Sequence, residues 1–183
     1  MKKSIGARER LYPNPVVMVS CSNGKTDNII TLAWVGTVCS NPPMISISIR
    51  PSRYSHEIIT ASKELVINIP DAKMTEACDF CGTHSGRDID KFKALNLTKE
   101  KGFTVNTPLI KECPVNIECK VSKVINLGTH DMFIGEVVAV HADDALLDRN
   151  GRIDYAKARP FVFNGGEYWS LGSKIGSYGY SQK

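Results

Sequence analysis

The sequence predicts a mainly β fold, a barrel or sandwich carrying a few short helices, with residues 1–183 forming one domain. Three observations lead there. Short apolar runs rich in Val and Ile recur along the whole chain. Turn residues separate them, as at Ser22-Asn23-Gly24-Lys25 and Asn164-Gly165-Gly166. Helical patterning is confined to three short windows, and with 42% apolar residues a chain of 183 has enough material for one sizeable core.

Pro15 to Ser20 is β-branched and apolar and makes the first strand. Asn28 to Cys39 reads as a second strand, stopped by Asn41-Pro42-Pro43. Met44 to Ile49 alternates apolar residues with serine, so one face is buried and the serine face meets something polar. Tyr54 to Ser62 follows as a helix with Ser55 as its expected N-cap. Leu65 to Pro70 is a strand, and Asp71 to Cys81 a helix that Asp71 caps and Gly82 stops. Asp90 to Leu95 makes a helical turn. Val115 to Ile125 alternates, with Asn116, Glu118, Lys120 and Ser122 expected to face outward. Met132 to His141 is almost uniformly apolar and is expected to be a buried strand, joined to the previous one through Gly128-Thr129-His130-Asp131. A last pair covers Phe161–Phe163 and Tyr168–Leu171.

Composition narrows the function. A net charge of +4 with no dense Lys/Arg tract or basic helix face argues against nucleic-acid binding. The first 15 residues are charged and lack the apolar centre of a secretory signal, and no apolar run approaches the roughly 20 residues of a membrane span. These features predict a soluble cytoplasmic protein. Its six cysteines are then free thiols by default. Cys78-Asp-Phe-Cys81 fits a redox dithiol, half of a zinc site, or two ordinary thiols in a helix; no second close pair or βαβ context favours the first two. No metal site is expected.

The stretch RPSRYSHEII, residues 50–59, leaves a strand and enters a helix. Unpaired N–H groups and the positive end of the helix dipole make such a junction favourable for an anion. Arg50 and Arg53 add permanent charge; Ser52, Tyr54 and Ser55 add neutral donors. A phosphate monoester suits that set. Taken alone, the stretch favours two surface arginines beside a capped helix, because arginines near helix starts are common; the neighbouring segments shift that balance.

Neighbouring segments extend the pattern. PNPVVMVSC, NIITLAWVGTVCSNPPMISISIRPSRYSHEII, ELVINIP, CGTHSGRDIDKF, GTHDMFIGEVVAVHADD and FVFNGGEYWSLGSKIGSY occur in this order and cover almost the whole chain. Together they resemble the flavin reductase-like, FMN-binding split-barrel family, which includes flavoredoxins. The resemblance implies a Greek-key split β-barrel that forms a homodimer and binds FMN without a covalent link. It implies an oxidoreductase moving electrons from NAD(P)H, a transient donor, through flavin to a flavin, a redox partner protein or a small acceptor. An FMN electron carrier without NAD(P)H activity is the alternative.

The same resemblance assigns residues. Arg50, Arg53, Tyr54 and Ser55 become the phosphate ligands, with Ser48 beside them. Asn28, Thr31, Ala33 and Trp34 run along the ring and ribityl chain, while Val35, Gly36 and Thr37 offer backbone contacts. Trp34 also reads as a core or dimer-interface aromatic. Ser85 and Gly86 suit a backbone nest; Arg87 and Lys91 reach toward a phosphate or dinucleotide, or belong to a solvated loop. His130 matches the histidine of a Gly-Asp-His element placed near the nicotinamide, although Thr129 stands where that element is acidic, and a hairpin histidine is often structural. There is no G-x-G-x-x-G, so a nicotinamide dinucleotide would not bind in a Rossmann domain.

Overall fold

The computed structural model describes residues 1–182. Its strands are β1 (Asn14–Pro15), β2 (Val17–Ser22), β3 (Asp27–Leu32), β4 (Val35–Ser40), β5 (Pro43–Ile49), β6 (Glu64–Ile69), β7 (Lys99–Glu100), β8 (Leu109–Ile110), β9 (Val115–Asn126), β10 (Asp131–Ala142), β11 (Phe161–Asn164) and β12 (Glu167–Ser170). The α-helices are α1 (Tyr54–Ser62), α2 (Thr75–Thr83), α3 (Lys91–Ala94) and α4 (Tyr155–Ala158). None of the helices among the described residues is long and apolar enough to cross a membrane.

Seven strands pair antiparallel in the order β3-β2-β6-β9-β10-β5-β4. The sheet curls until β3, at one end, comes against β5 near the other; the Ser48 amide bonds the Trp34 carbonyl at 3.0 Å, which extends the β4–β5 ladder up to this seam. β3 and β5 do not pair along their length, so the barrel stays open at that seam. A three-stranded sheet, β1-β11-β12, and the β7-β8 pair pack outside it.

Period-2 patterning explains two cores. Val17, Val19 and Cys21 of β2 face the barrel interior with Ile47, Ile49, Ile67, Cys119 and Phe133, and α1 closes that core with Ile58 and Ile59. The alternate residues Val16 and Met18 join Ile29 in a second core under α2 and α3, with Cys78, Cys81, Phe92, Cys113 and Phe161. β2 is covered on both faces, and all six of its residues are buried.

Several expectations are corrected. The single strand expected over Asn28–Cys39 is two, broken at Ala33-Trp34, because β3 pairs with β2 whereas β4 pairs with β5, on the other side of the seam. Ser55 is not the N-cap. Arg53 holds that place with extended backbone and no side-chain cap, and Ser55 lies buried inside the helix. Gly82 does not stop α2: the helix continues to Thr83, where the Thr83 hydroxyl bonds the Asp79 carbonyl at 2.9 Å and the His84 ring stacks on Phe80. Asp71 caps a separate 3₁₀ turn, Ala72–Met74, rather than the helix itself.

Asn116 and Glu118 do not face solvent; both are buried. The segment between β7 and β8 folds over that face of the sheet and supplies their partners. Asn68 receives Ile110 N–H at 3.0 Å and the Asn116 amide at 2.8 Å, while the Ser20 hydroxyl donates to the Pro108 carbonyl at 2.6 Å. Glu118 accepts the N–H groups of Phe103, Thr104 and Val105. β10 is not uniformly buried either: Phe133 and Gly135 are enclosed, but Val140 is 52% exposed. An apolar run signals burial only where the same chain supplies a cover.

Candidate functional site

The open seam forms the site. A cleft of about 180 Å³ lies between β3 and β5, lined by Ile30, Thr31, Leu32, Ala33, Trp34, Ser48, Ile49, Arg50, Arg53, Gly82 and His130. A second, of about 190 Å³, is lined by Asn28, Ile30, Ser52, Arg53, Tyr54, Ser55, Cys81, Gly82, His84, Ser85, Gly86, Arg87 and Lys91. Ile30, Arg53 and Gly82 belong to both, so the clefts are continuous. A third hollow of about 300 Å³, lined partly by Phe163 and Tyr168, adjoins the first through Thr31, Ala33 and Gly82.

Of the sequence-predicted residues, Thr31, Ala33, Trp34, Ser48, Arg50, Arg53 and His130 come together in the first cleft. Asn28, Tyr54, Ser55, Ser85, Gly86, Arg87 and Lys91 meet in the second. Val35 and Gly36 line a larger cleft of about 720 Å³ beside the N-terminal segment, which adjoins the first through Trp34 and Ser48, and Thr37 is exposed on β4 and lines none of these clefts. Ser52, expected as a neutral donor, lines the second cleft, whereas Ile30, Gly82 and His84 are cleft residues that the sequence does not single out as ligands. Their placement depends on which residues of β3 and α2 face each other across the seam, which local patterning does not specify.

The second cleft is cationic and rich in hydroxyls. The Arg87 guanidinium sits 4.9 Å over the Tyr54 ring, bonds Glu57 at 3.0 Å and donates to the Ser52 carbonyl at 3.2 Å. Lys91 is buried; its Nζ donates to the Ile29 and Cys81 carbonyls at 2.7 and 2.8 Å, which leaves one N–H for another partner. Burial holds the Lys91 pKa below its ordinary value, against weaker effects of Cys81 and Cys21 that raise it. Arg50 and Arg53 make no ion pair among the described residues.

Asn28 bridges to α1 by donating to the Ser55 hydroxyl at 2.9 Å. Its own Oδ1 is buried without a partner among the described residues. A Cβ at Gly86 would stand 2.0 Å from that oxygen, so glycine is required there by the close approach of Asn28. A buried acceptor lacking a donor costs about 1–3 kcal/mol, and a hydroxyl-bearing ligand in this cleft would supply the donor.

The first cleft is aromatic and mostly uncharged on its β3 side. Trp34 is 43% exposed and faces His130, with ring centroids 4.6 Å apart. Burial, and secondarily the Arg50 charge, lowers the His130 pKa, so the ring is neutral at pH 7. The Thr31 hydroxyl is committed to the Cys78 carbonyl at 2.6 Å and fixes α2 against β3.

The Cys78/Cys81 pair lies on the buried face of α2, and burial pushes these thiols up to about 12 and about 11. Thiolates form poorly there, which disfavours the dithiol reading. Labelling of the native protein with a thiol reagent at pH 7.5 should reach Cys39 alone on a fast timescale, with all six reacting after denaturation; fast native labelling of Cys78 or Cys81 would show that α2 does not enclose them.

An antiparallel barrel open at one seam, with a cationic cleft leading into an aromatic one, defines the class of flavin reductase-like split barrels. The chain belongs to the flavin reductase like domain family, whose sequence profile matches residues 9–172. It is similar to flavoredoxin of Desulfovibrio vulgaris (Miyazaki F), with 35% identity, a TM-score of 0.93 and coverage of 100% of both chains. Flavoredoxin from Methanosarcina acetivorans is similar at 27% identity and a TM-score of 0.89, over 100% of this chain and 98% of that one. An uncharacterized protein of Archaeoglobus fulgidus is 33% identical over 147 residues, 80% of this chain and 82% of that protein.

Proposed function

We propose that the protein is a flavin-dependent oxidoreductase that holds FMN across the two joined clefts and moves electrons from NAD(P)H through flavin to a flavin, a protein or a small acceptor. The continuity of a cationic cleft with an aromatic one through Ile30, Arg53 and Gly82 carries this reading. The residues fit the cofactor. Arg53 and Arg87, the Tyr54 and Ser55 hydroxyls and the remaining Lys91 N–H suit a phosphate monoester. The orphaned Asn28 oxygen suits a ribityl hydroxyl. Trp34, Ala33 and Ser48 suit a flat ring with polar edges.

Bound there, FMN supplies the reversible electron storage that no side chain of the site offers. Ile30, Leu32 and Ile49 exclude water from the inner wall. Neutral His130 can offer one hydrogen bond to a ligand in the cleft, and burial and the Arg50 charge both oppose its protonation. A homodimer, the assembly the family resemblance implies, would cover exposed apolar side chains such as Val38 and Val140. The free thiols support a cytoplasmic setting.

A second reading, an FMN electron carrier reduced by a partner protein, is favoured by one observation. Thr129 occupies the position of the expected acid, and its hydroxyl lies 3.0 Å from His130 Nδ1, leaving only Nε2 for the cleft. The test is the visible spectrum of the purified protein followed by anaerobic NADH and then NADPH. A yellow protein that bleaches with either one supports the reductase. A yellow protein that bleaches only with dithionite supports the carrier. A colourless protein that takes up no added FMN overturns both.

A further inference from the structure

Neither His56 nor Asp131 lines either cleft, yet each is the chain neighbour of a residue that does, His130 for Asp131 and Ser55 for His56. His56 Nε2 lies 2.7 Å from Asp131 Oδ2, with each side chain only 15% exposed. The Asn126 amide holds the other carboxylate oxygen at 2.8 Å. The His56 ring stands edge-on to buried Phe133 at 5.1 Å. The imidazole is therefore fixed on two sides.

The position of this pair in the chain gives it leverage. Asp131 opens β10 and is the ladder partner of Ile49, the last residue of β5. The residue before it is His130, and the residue after Ile49 is Arg50; both line the aromatic cleft. His56 stands in the first turn of α1, beside Tyr54 and Ser55 of the cationic cleft. Between Ile49 and Tyr54 the chain turns without side-chain capping, since Arg53 at the helix N-terminus makes no cap bond. The His56–Asp131 contact spans that uncapped turn from hairpin to helix.

We propose that His56 and Asp131 are positioning residues: their contact is a brace that sets His130 against Trp34 and holds Arg53–Ser55 over the cationic cleft, so that both halves of the site keep one spacing. The proposal rests on the FMN reading for its ligand. Its geometric content stands without one. A brace acts through the residues it holds; at metal sites, contacts that orient the ligands change affinity by about 10–100-fold when removed, and the lower end of that range is the expectation for this brace.

The experiment compares Asp131→Ala, Asp131→Asn and Asn126→Ala with wild type. Fluorescence titration gives the FMN Kd, and the His130 ring resonances are followed by NMR with and without FMN. Ala and Asn both remove the charge, but Asn keeps an acceptor for His56, a bond Asn126 accommodates by turning its amide. The expected result is a Kd about tenfold weaker in Asp131→Ala, His130 resonances displaced as the ring leaves Trp34, and recovery of both in Asp131→Asn. Asn126→Ala, which leaves the His56 contact intact, keeps the proposal testable if Asp131→Ala folds poorly, and it should show a smaller displacement in the same direction. A lower melting temperature with unchanged Kd and unchanged His130 resonances would reduce the pair to a structural contact and overturn the brace. Should wild type fail to take up FMN, the functional reading falls, and the His130 resonances of the ligand-free variants still decide the brace.

Discussion

Replacing Glu118 with alanine is expected to destabilise the fold by about 3–5 kcal/mol. Its side chain is fully buried on β9 and serves as the anchor of the segment between β7 and β8. One carboxylate accepts Phe103 N–H at 2.9 Å, Thr104 N–H at 2.7 Å, the Thr104 hydroxyl at 2.6 Å and Val105 N–H at 2.9 Å, and contacts His141 Nε2 at 2.6 Å. The Phe103 ring then stacks on His141 at 4.3 Å, which closes the cap over the carboxylate. Alanine leaves three backbone N–H groups without their acceptor and a void beneath them. Urea denaturation of both proteins at pH 7 measures the loss; a difference below about 1 kcal/mol would show that this segment does not depend on the carboxylate.

The same residue predicts acid behaviour. Burial works to raise the Glu118 pKa, but the bonds from Thr104, Phe103 and His141 outweigh it and bring it from an ordinary 4.5 to about 2. A depressed folded-state pKa contributes stability that is whole above the unfolded value and is lost as pH falls through the folded one. The contribution, at most about 3 kcal/mol, is therefore present at pH 7 and lost between about 4.5 and 2. Stability of the wild type should fall across that window more steeply than that of Glu118→Ala. Parallel acid profiles would contradict the assignment.

Replacing Arg53 with alanine is expected to weaken FMN binding by roughly 1.5–3 kcal/mol, or about 10–150-fold. Arg53 lines both clefts and has no carboxylate partner among the described residues, so its charge is available to a ligand. Arg87 differs: it is already bonded to Glu57 and stacked on Tyr54, and its removal costs packing as well as charge. Arg50 lines only the aromatic cleft, and its removal should have the smaller effect of the two. Titration of the ligand-free protein with FMN at two salt concentrations checks this, because a charge contact also makes wild-type affinity more salt-sensitive than that of the variant. Unchanged affinity in both single variants would remove the phosphate from this turn.

Much of the fold was readable in advance for a local reason. Alternation in Met44–Ile49 and Val115–Ile125 has the period of a strand, and the Gly-rich turns separate the runs. The sequence marks α1 over Tyr54–Ser62, the span it occupies, because its apolar pair Ile58-Ile59 falls where the barrel end needs it. Local cues point the wrong way where distant contacts outweigh them. Ser55 has an N-cap side chain, but its hydroxyl is taken by Asn28, a residue 27 positions away. Gly82 has stop character, yet Thr83 and His84 carry the helix past it. Asn116 and Glu118 are polar on an alternating strand, and only a covering segment with a matching acceptor for Asn116 and matching donors for Glu118 makes their burial tolerable.

The sequence by itself determined the strand-rich class, the anion-friendly turn at Arg50–Ser55 and the resemblance to the flavin reductase-like family, since periodicity, donor chemistry and residue order are written along the chain. Only the tertiary structure decided that the barrel opens between β3 and β5, that Asn28 is left with an orphaned oxygen against Gly86, and that His56 reaches Asp131 across an uncapped turn. Each of these depends on which side chains from separate segments arrive within about 3 Å of one another. That distance is set by sheet register and by the packing of two cores, and no local stretch of sequence encodes it.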